Sequence, residues 1–265
     1  MQSYLRKWHL SNPQEITQTP TSTIYKVIKQ DGVTAILKLL SDMGVEDERD
    51  GAYLLDYYSG DGAIDIYNHD DGAHLLEYAG DETLSMLVKS GKDKEATQII
   101  CDVVRALQQP RKLPYPSALK PLKEQFFELF EAAKKQGADA VIVQAAQVAD
   151  ELFNTTAKEI PLHGDIHHSN IMKSARGWVA IDPKGLIGDP CYDVANIFGN
   201  PDSLHDLTLN PQRMRYLADI FSEQLNLSRE RILRFAFVHN VLSAVWGGRD
   251  SDHRLKIAQM AFNII

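Results

Sequence analysis

His163-Gly164-Asp165-Ile166-His167-His168-Ser169-Asn170 is followed, twelve residues after Asn170, by Asp182 inside Val179-Ala180-Ile181-Asp182-Pro183. An Asp, an Asn five positions on, and a second Asp closing an apolar run supply three oxygen donors in a fixed order. Phosphoryl transfer from ATP needs one carboxylate to accept the hydroxyl proton. It needs an amide oxygen and a second carboxylate to hold magnesium against the phosphates. Asp165 is therefore the candidate base, and Asn170 and Asp182 are the candidate metal ligands. Magnesium prefers hard oxygens and keeps waters and phosphates as its other ligands, so two protein ligands suffice. Taken singly, Asp165 reads equally as a turn residue after Gly164, Asn170 as a cap and Asp182 as a strand end. The shared spacing favours the chemical reading.

The three histidines of this segment raise a second possibility, a zinc site. Their order, His-x-Asp-x-His-His, is neither the helical HExxH of zinc proteases nor the His-x-His-x-Asp-His of binuclear hydrolases. His163 is expected to brace the loop instead, with His167 and His168 as structural rings.

Upstream, Ala35-Ile36-Leu37-Lys38 ends a β-prone run and parallels the Val-Ala-Ile-Lys of protein kinases, whose lysine contacts the α- and β-phosphates. Such a lysine needs a carboxylate partner. Glu48 on the following helix is the first choice and Glu46 the second. Runs 22–29 and 33–40 around Gln30-Asp31-Gly32 form one expected hairpin, and 64–68 and 73–78 around His69-Asp70-Asp71-Gly72 a second. A helix is expected over 45–58, although Gly51 weakens it. No GxGxxG is present. Gln18-Thr19-Pro20-Thr21-Ser22-Thr23 stands before the first expected strand, and both a phosphate-touching loop and an ordinary polar loop fit it.

From Ala79 onward the pattern is mostly helical. Helices are expected over 93–109 with Asp93 as N-cap, 122–136, 139–154, from about Tyr192, 212–225, 228–246 and from Asp252. The four-proline segment 110–121 is a loop, and 171–173 with 178–181 form a small hairpin. Leu75-Leu76-Glu77-Tyr78-Ala79 joins the two parts, and the Glu77 carbonyl and Ala79 N–H are candidates to meet an adenine edge. In Gly188-Asp189-Pro190-Cys191-Tyr192-Asp193, Asp193 is expected to start a helix and bond the catalytic-loop backbone. Asp189 is a candidate to face a cationic substrate. Lys184 either meets a phosphate or is simply exposed.

The 265 residues carry a formal net charge of −8, with 44% hydrophobic and 24% charged residues, enough to build a core. The acidic balance argues against nucleic acid or anionic lipid as partner and suits a cationic small molecule. Cys101 and Cys191 lie far apart with no CxxC spacing, and read as two reduced thiols. Neither a signal-peptide pattern nor a membrane-length apolar run is apparent, so a cytoplasmic protein is expected.

Together these residues resemble the aminoglycoside phosphotransferase family, and within it the branch of streptomycin 6-phosphotransferases and hydroxyurea kinases. The resemblance runs from about Ile24 to the C-terminus. It is most specific at 162–172, at Gly177 to Leu186, at Gly188-Asp189-Pro190 and at Leu76 to Gly80. It implies an α+β, bilobal protein-kinase-like fold, with a β-rich N-terminal lobe over 1–78 and a helical lobe over 79–265. It also implies ATP with Mg2+ and transfer to an acceptor hydroxyl, with streptomycin as the leading acceptor. Carried over by position, Asp165 is the base, Asn170 and Asp182 the metal ligands, Lys38 the phosphate lysine, and Glu77 to Ala79 the hinge. Asp182-Pro183-Lys184-Gly185 departs from Asp-Phe-Gly, which disfavours protein substrates. Another metabolite, hydroxyurea, or a non-catalytic pseudokinase role are the alternatives.

Overall fold

The computed structural model describes residues 1–247 and 250–265, excepting the side chains of Glu46 and Asp47. A five-stranded antiparallel sheet opens the chain, in the order β1-β2-β3-β5-β4. Its strands are β1 (Ser11–Gln18), β2 (Ser22–Ile28), β3 (Thr34–Leu40), β4 (Ile66–Asp70) and β5 (Ala73–Glu77). Both expected hairpins are present, and Ile24 and His74 flank Lys38 on the neighbouring strands.

Successive side chains of a strand point to opposite faces, and the sheet uses this to separate two tasks. Val27, Ala35, Leu37, Ala73 and Leu75 form a small apolar cluster on one face. It is covered by Tyr4, Leu5 and Trp8 from α1 (Gln2–Lys7) and its exit. Ile24, Ile36, Lys38 and Leu76 face the cleft.

Neither α1 nor β1 is expected from the sequence. β1 is an edge strand exposed along its whole length and carries Pro13, so it lacks the alternation that marks a half-buried strand. Its presence moves Gln18–Thr23 from before the first strand to the turn between the first two.

Helix α2 (Asp42–Tyr58) begins three residues earlier than expected, because Ser41 caps it by accepting from the Gly44 N–H at 3.2 Å. Gly51 lies inside this helix for a steric reason. A Cβ there would stand 2.1 Å from the Pro183 carbonyl oxygen, so glycine lets the helix lie directly on the segment that follows Asp182.

The remainder is mainly helical. After α3 (Leu84–Lys89) comes α4 (Asp93–Leu107), whose N-cap is Lys92 rather than Asp93. Asp93 instead receives a two-pronged ion pair from Arg213. The proline-rich loop ends in β6 (Lys120–Pro121). The helix expected over 122–136 is two short pieces, α5 (Leu122–Gln125) and α6 (Phe127–Ala133), and α7 (Ala140–Asn154) follows with Asp139 as its cap.

Strand β7 (Ile160–Leu162) leads into the segment from His163 to Asn170. The hairpin β8 (Ile171–Ser174) and β9 (Gly177–Ala180) follows it, and β10 (Leu186–Gly188) lies between β6 and β7. Residues Pro190–Gly199 form a 3-10 helix, not the α-helix expected from Tyr192. Its cap is Asp189, and Asp193 lies within it. The chain ends with α8 (His205–Thr208), α9 (Pro211–Leu225), α10 (Arg229–Trp246) and α11 (Ser251–Ile264). Phe235, Phe237, Val238, Val241 and Leu242 of α10 are fully buried at the centre of the larger core. Both cysteines are buried and unpaired. Among the described residues, no helix is long and apolar enough to cross a membrane.

Candidate functional site

Two cavities lie on either side of the 181–184 segment. Ile181 and Asp182 line one, of about 430 Å³, and Lys184 lines the other, of about 620 Å³.

The first cavity is bounded by the cleft face of the sheet. Ile24, Ile36 and Leu76 stand on the sheet side, and Met172 and Ile181 on the opposite side. Tyr78, Ala79 and Gly80 form its edge. Ala79 is buried, and its N–H has no hydrogen-bond partner among the described residues. An unpaired buried donor beside two apolar walls suits the edge of a planar heterocycle. At the expected hinge, Glu77 contributes more through its side chain than the sequence suggests. Its carboxylate receives Arg176 Nη2 at 2.6 Å and Nε at 3.2 Å, and the Asp65 N–H at 3.0 Å. Arg176 also donates to the Gly60 carbonyl at 2.6 Å, so the β8–β9 turn is tied to both ends of the α2–β5 region.

The polar loop Gln18–Thr23 overhangs this cavity with Thr19, Thr21 and Ser22. It is fastened from below, because Ser41 donates its hydroxyl to the Pro20 carbonyl at 2.8 Å and its N–H to Thr21 at 2.8 Å.

At the inner end, Lys38 makes ion pairs with both Glu48 and Asp182. Glu48 is thus the partner expected for this lysine, and the alternative Glu46 side chain lies outside the described residues. Burial works against the lysine charge, but the two carboxylates outweigh it and hold its pKa above the ordinary value. For Asp182, burial again disfavours the charge, yet Lys38 and then Lys184 bring the carboxyl below its usual range. Asp182 adopts φ 62°, a left-handed backbone uncommon outside glycine, and its side chain is about half exposed.

The loop itself is held from several sides. His163 is fully buried, and burial pushes its pKa down to about 4, so the ring is neutral. Its Nε2 lies 2.9 Å from the Ile181 carbonyl, which can only accept, so Nε2 carries the proton. Nδ1 then accepts from the Asp165 N–H at 3.3 Å. His163 braces the loop as expected. His167 turns its Nδ1 toward the Ser169 N–H, and His168 is buried with neither ring nitrogen bonded.

Asn170 donates to the Asp165 carbonyl at 3.0 Å and to Asp165 Oδ2 at 3.4 Å. Its NH2 group is thereby committed, and its Oδ1 has no hydrogen-bond partner among the described residues. The Ile181 N–H donates to the Asn170 backbone carbonyl at 2.9 Å, which brings the two segments together. An uncommitted amide oxygen and a half-exposed, ionised carboxylate are the hard-oxygen donors that magnesium takes, so the chemistry of these residues fits that ion.

Asp165 opens into the second cavity, with Glu124, Phe127, Glu128, Lys184, His239 and Trp246. Burial raises its pKa above the ordinary carboxylate value, the Asp182 charge adds to this, and His167, Lys184 and a hydrogen bond from Asn196 act against it. Lys184 thus lines the Asp165 cavity and not the first one, although its charge reaches Asp182 as well. Asp193 accepts from the Gly164 N–H at 2.9 Å as expected, and burial raises its pKa to about 6. Asp189 does not face a substrate. It is buried, caps the 3-10 helix through the Cys191 N–H, and is ion-paired with Arg231 at 2.5 Å.

Residues overlooked in the sequence are Asn196, which donates to Asp165 Oδ1 at 2.9 Å, and Arg176. Both act across more than thirty residues of chain. Only their neighbourhood, next to Asp193 and in the β8–β9 turn, hinted at them.

An antiparallel N-terminal sheet, a helical C-terminal region and a cleft between them define a bilobal protein-kinase-like chain. The fold superposes with a TM-score of 0.64 on an aminoglycoside phosphotransferase APH(4)-Ia variant in complex with ADP and hygromycin B. That match is 13% identical and covers 98% of this chain and 97% of the other. The profile of the aminoglycoside/hydroxyurea antibiotic resistance kinases matches residues 7–251, and the chain belongs to that family. It is 38% identical over 248 residues to the streptomycin 3''-kinase of Klebsiella pneumoniae, covering 91% of this chain and 90% of that protein. With the streptomycin 6-kinase of Streptomyces griseus it shares 24% identity over 265 residues, covering 96% and 84%.

Proposed function

We propose that the protein is an ATP- and magnesium-dependent kinase that transfers the γ-phosphoryl group to a hydroxyl of streptomycin, an activity that inactivates the antibiotic in the cytoplasm. Residues 1–78 are the nucleotide-binding lobe and 79–265 the lobe that receives the acceptor. Family membership supports the reaction class. The observation that carries the rest is the division of labour across 181–184. Asp182, gripped by Lys38, looks into an apolar cavity, while Asp165 looks into a separate polar one.

In this reading the adenine lies between Ile24, Ile36, Met172 and Ile181, with the Glu77 carbonyl and Ala79 N–H at its edge. Lys38, fixed by Glu48, neutralises phosphate charge. Asn170 Oδ1 and the Asp182 carboxylate would hold magnesium, which when bound would supply positive charge against the phosphates. Asp165 accepts a hydrogen bond from the acceptor hydroxyl and takes its proton as the new O–P bond forms and the bond from the γ-phosphorus to the β-phosphate oxygen breaks, releasing ADP. Its raised pKa makes it a stronger base than an exposed aspartate. Glu124 and Glu128 face a cationic acceptor across the same cavity.

We further assign transfer to the 3'' hydroxyl rather than the 6 hydroxyl, because identity is 38% with the 3''-kinase against 24% with the 6-kinase. This departs from the 6-phosphotransferase branch that the motifs alone resemble.

The test is an acceptor panel with ATP and Mg2+, led by streptomycin and including hydroxyurea, read by mass spectrometry. Streptomycin should gain one phosphoryl group, and NMR of the product should place it at 3''. A phosphate at 6 overturns the position. Transfer only to another acceptor overturns the substrate. ATP binding with no transfer to any acceptor would indicate a non-catalytic nucleotide-binding module.

A further inference from the structure

Asp165 Oδ1 accepts from Asn196 Nδ2 at 2.9 Å, and Asn196 is itself held by Asn200 at the end of the same 3-10 helix. Asn200 Nδ2 donates to the Asn196 backbone carbonyl at 2.9 Å and to Asn196 Oδ1 at 2.8 Å. The direction of this chain of bonds is forced. A backbone carbonyl can only accept, so Asn200 must present its NH2 group. That same NH2 group meets the Asn196 side-chain oxygen, so Asn196 must turn its own NH2 group toward Asp165. A flipped Asn196 would set oxygen against carboxylate at one end and NH2 against NH2 at the other.

The far end is anchored as well. The Asn200 carbonyl accepts from Arg213 Nη2 at 3.2 Å, and Arg213, itself buried, is clamped by Asp93. Asn200 is buried, and its N–H donates to Ile197 at 3.0 Å. On the opposite side of Asp165, Asn170 approaches Oδ2 at a longer 3.4 Å. One carboxylate oxygen is therefore firmly engaged, and the other, with only this long bond and His167 Nε2 at 3.9 Å beside it, is left for the acceptor.

We propose that Asn196, its amide orientation locked by Asn200, is a positioning residue that fixes the rotation of the Asp165 carboxylate so that Oδ2 meets the acceptor hydroxyl. This rests on Asp165 being the base. Asn196 lines neither of the two cavities, so its loss should act on the reacting geometry and spare ground-state binding.

The experiment measures steady-state kinetics with streptomycin and ATP–Mg2+, together with ATP affinity and melting temperature. The variants are Asn196→Ala, Asn196→Asp, Asn200→Ala, the Asn196→Ala/Asn200→Ala double and Asp165→Ala. Asn196→Ala should lower kcat on the order of 10- to 100-fold while the streptomycin KM and ATP affinity stay within about twofold. Asn196→Asp keeps the shape but replaces the donor, and should lose at least as much. Asn200→Ala should lower kcat in the same direction, and the double variant should be no worse than Asn196→Ala alone, because both act through one bond. Near wild-type kcat in Asn196→Ala, with Asp165→Ala inactive, overturns the inference and leaves the base assignment standing. Full turnover in Asp165→Ala overturns the base assignment and the inference with it. A fall in kcat matched by lost ATP affinity and a lowered melting temperature, or additive losses in the double variant, also overturns it.

Discussion

The two cavities beside the 181–184 segment are built in different ways. The one containing Lys38 and Asp182 is walled by strand side chains at period-two spacing and by the hairpin that follows Asn170. The one containing Asp165 gathers Glu124, Phe127 and Glu128 from short helices, Lys184 from a loop, and His239 and Trp246 from α10. The first is an apolar slot with charge at one end, a shape that holds a constant ligand. The second is a more polar bowl, with Phe127, Leu186 and Trp246 beside its charged groups, and its exposed members Glu124, Phe127, Glu128 and Trp246 can change without disturbing the core. A common nucleotide and a variable acceptor call for this asymmetry.

The sharpest way to break the comparison is at Lys38. Replacing Lys38 by Met removes the cation between two carboxylates and leaves Glu48 buried without its partner. Turnover should fall by roughly 10²–10³, as when one preorganised donor is removed from a reacting centre. ATP affinity should fall and streptomycin binding should not. A streptomycin KM that rises as much as the ATP KM would show that the cavities are not separate.

Gly51→Ala probes how the two regions are joined. The new Cβ must displace α2 from Pro183, which carries Glu48 away from Lys38. Overpacking of this kind costs about 1–3 kcal/mol, seen as a lower melting temperature, with a loss of activity beside it. An unchanged melting temperature and rate would mean that α2 does not bear on the segment.

Acid should loosen the helical side. Burial holds His168 and His239 down to about 3, with Arg213 and Arg254 adding to the effect. Unfolded, each ring titrates near its ordinary 6.5, so the unfolded chain takes up protons first as the pH falls. Stability present above about pH 6.5 is lost toward pH 3, by about 2 kcal/mol per ring at pH 5. Asp193, raised to about 6, acts in the opposite direction between about pH 6 and 4, and Asp165, also raised, acts with it. His163, held down to about 4, adds to the two rings, so the buried histidines outnumber the buried carboxyls. The melting temperature should therefore drop between pH 7 and pH 5. Because neither His168 ring nitrogen is bonded, His168→Leu should be neutral or stabilising at pH 7 and should reduce that drop. An unchanged acid slope in His168→Leu would remove this ring from the account.

The smallest effect belongs to the bowl. Changing Glu124 and Glu128 to Gln should raise the streptomycin KM by roughly fivefold or less per residue, as expected for exposed ion pairs. The effect should shrink with added salt, and ATP affinity should hold. A change in ATP affinity instead would move these carboxylates to the other cavity.

Much of the slot was legible in the chain. Lys38 stands at the end of an apolar β-run, Glu48 on the next helix, and Asp165, Asn170 and Asp182 within eighteen residues, all set by local spacing. Of these Asp165 opens into the bowl; the rest of the bowl was not legible, because its members are far apart in sequence and carry no shared pattern. Asp189 shows the hazard: a lone carboxylate near the motif reads as a substrate contact, while the fold gives it Arg231 and a helix cap. Asn196 shows the converse, an unremarked amide that the 3-10 helix delivers to Asp165. Strand β1 is not legible in the sequence, because an exposed edge strand with a proline has no hydrophobic period.

The central claim is that Asp165 performs the proton transfer on the acceptor side while the nucleotide is held independently. It is tested most directly by single-turnover phosphorylation of streptomycin in Asp165→Ala, with ATP affinity measured on the same protein. The predicted result is a rate reduced by roughly 10²–10⁴ with ATP affinity unchanged. A rate near that of the unaltered protein, or a loss explained by failure to bind ATP, would contradict it.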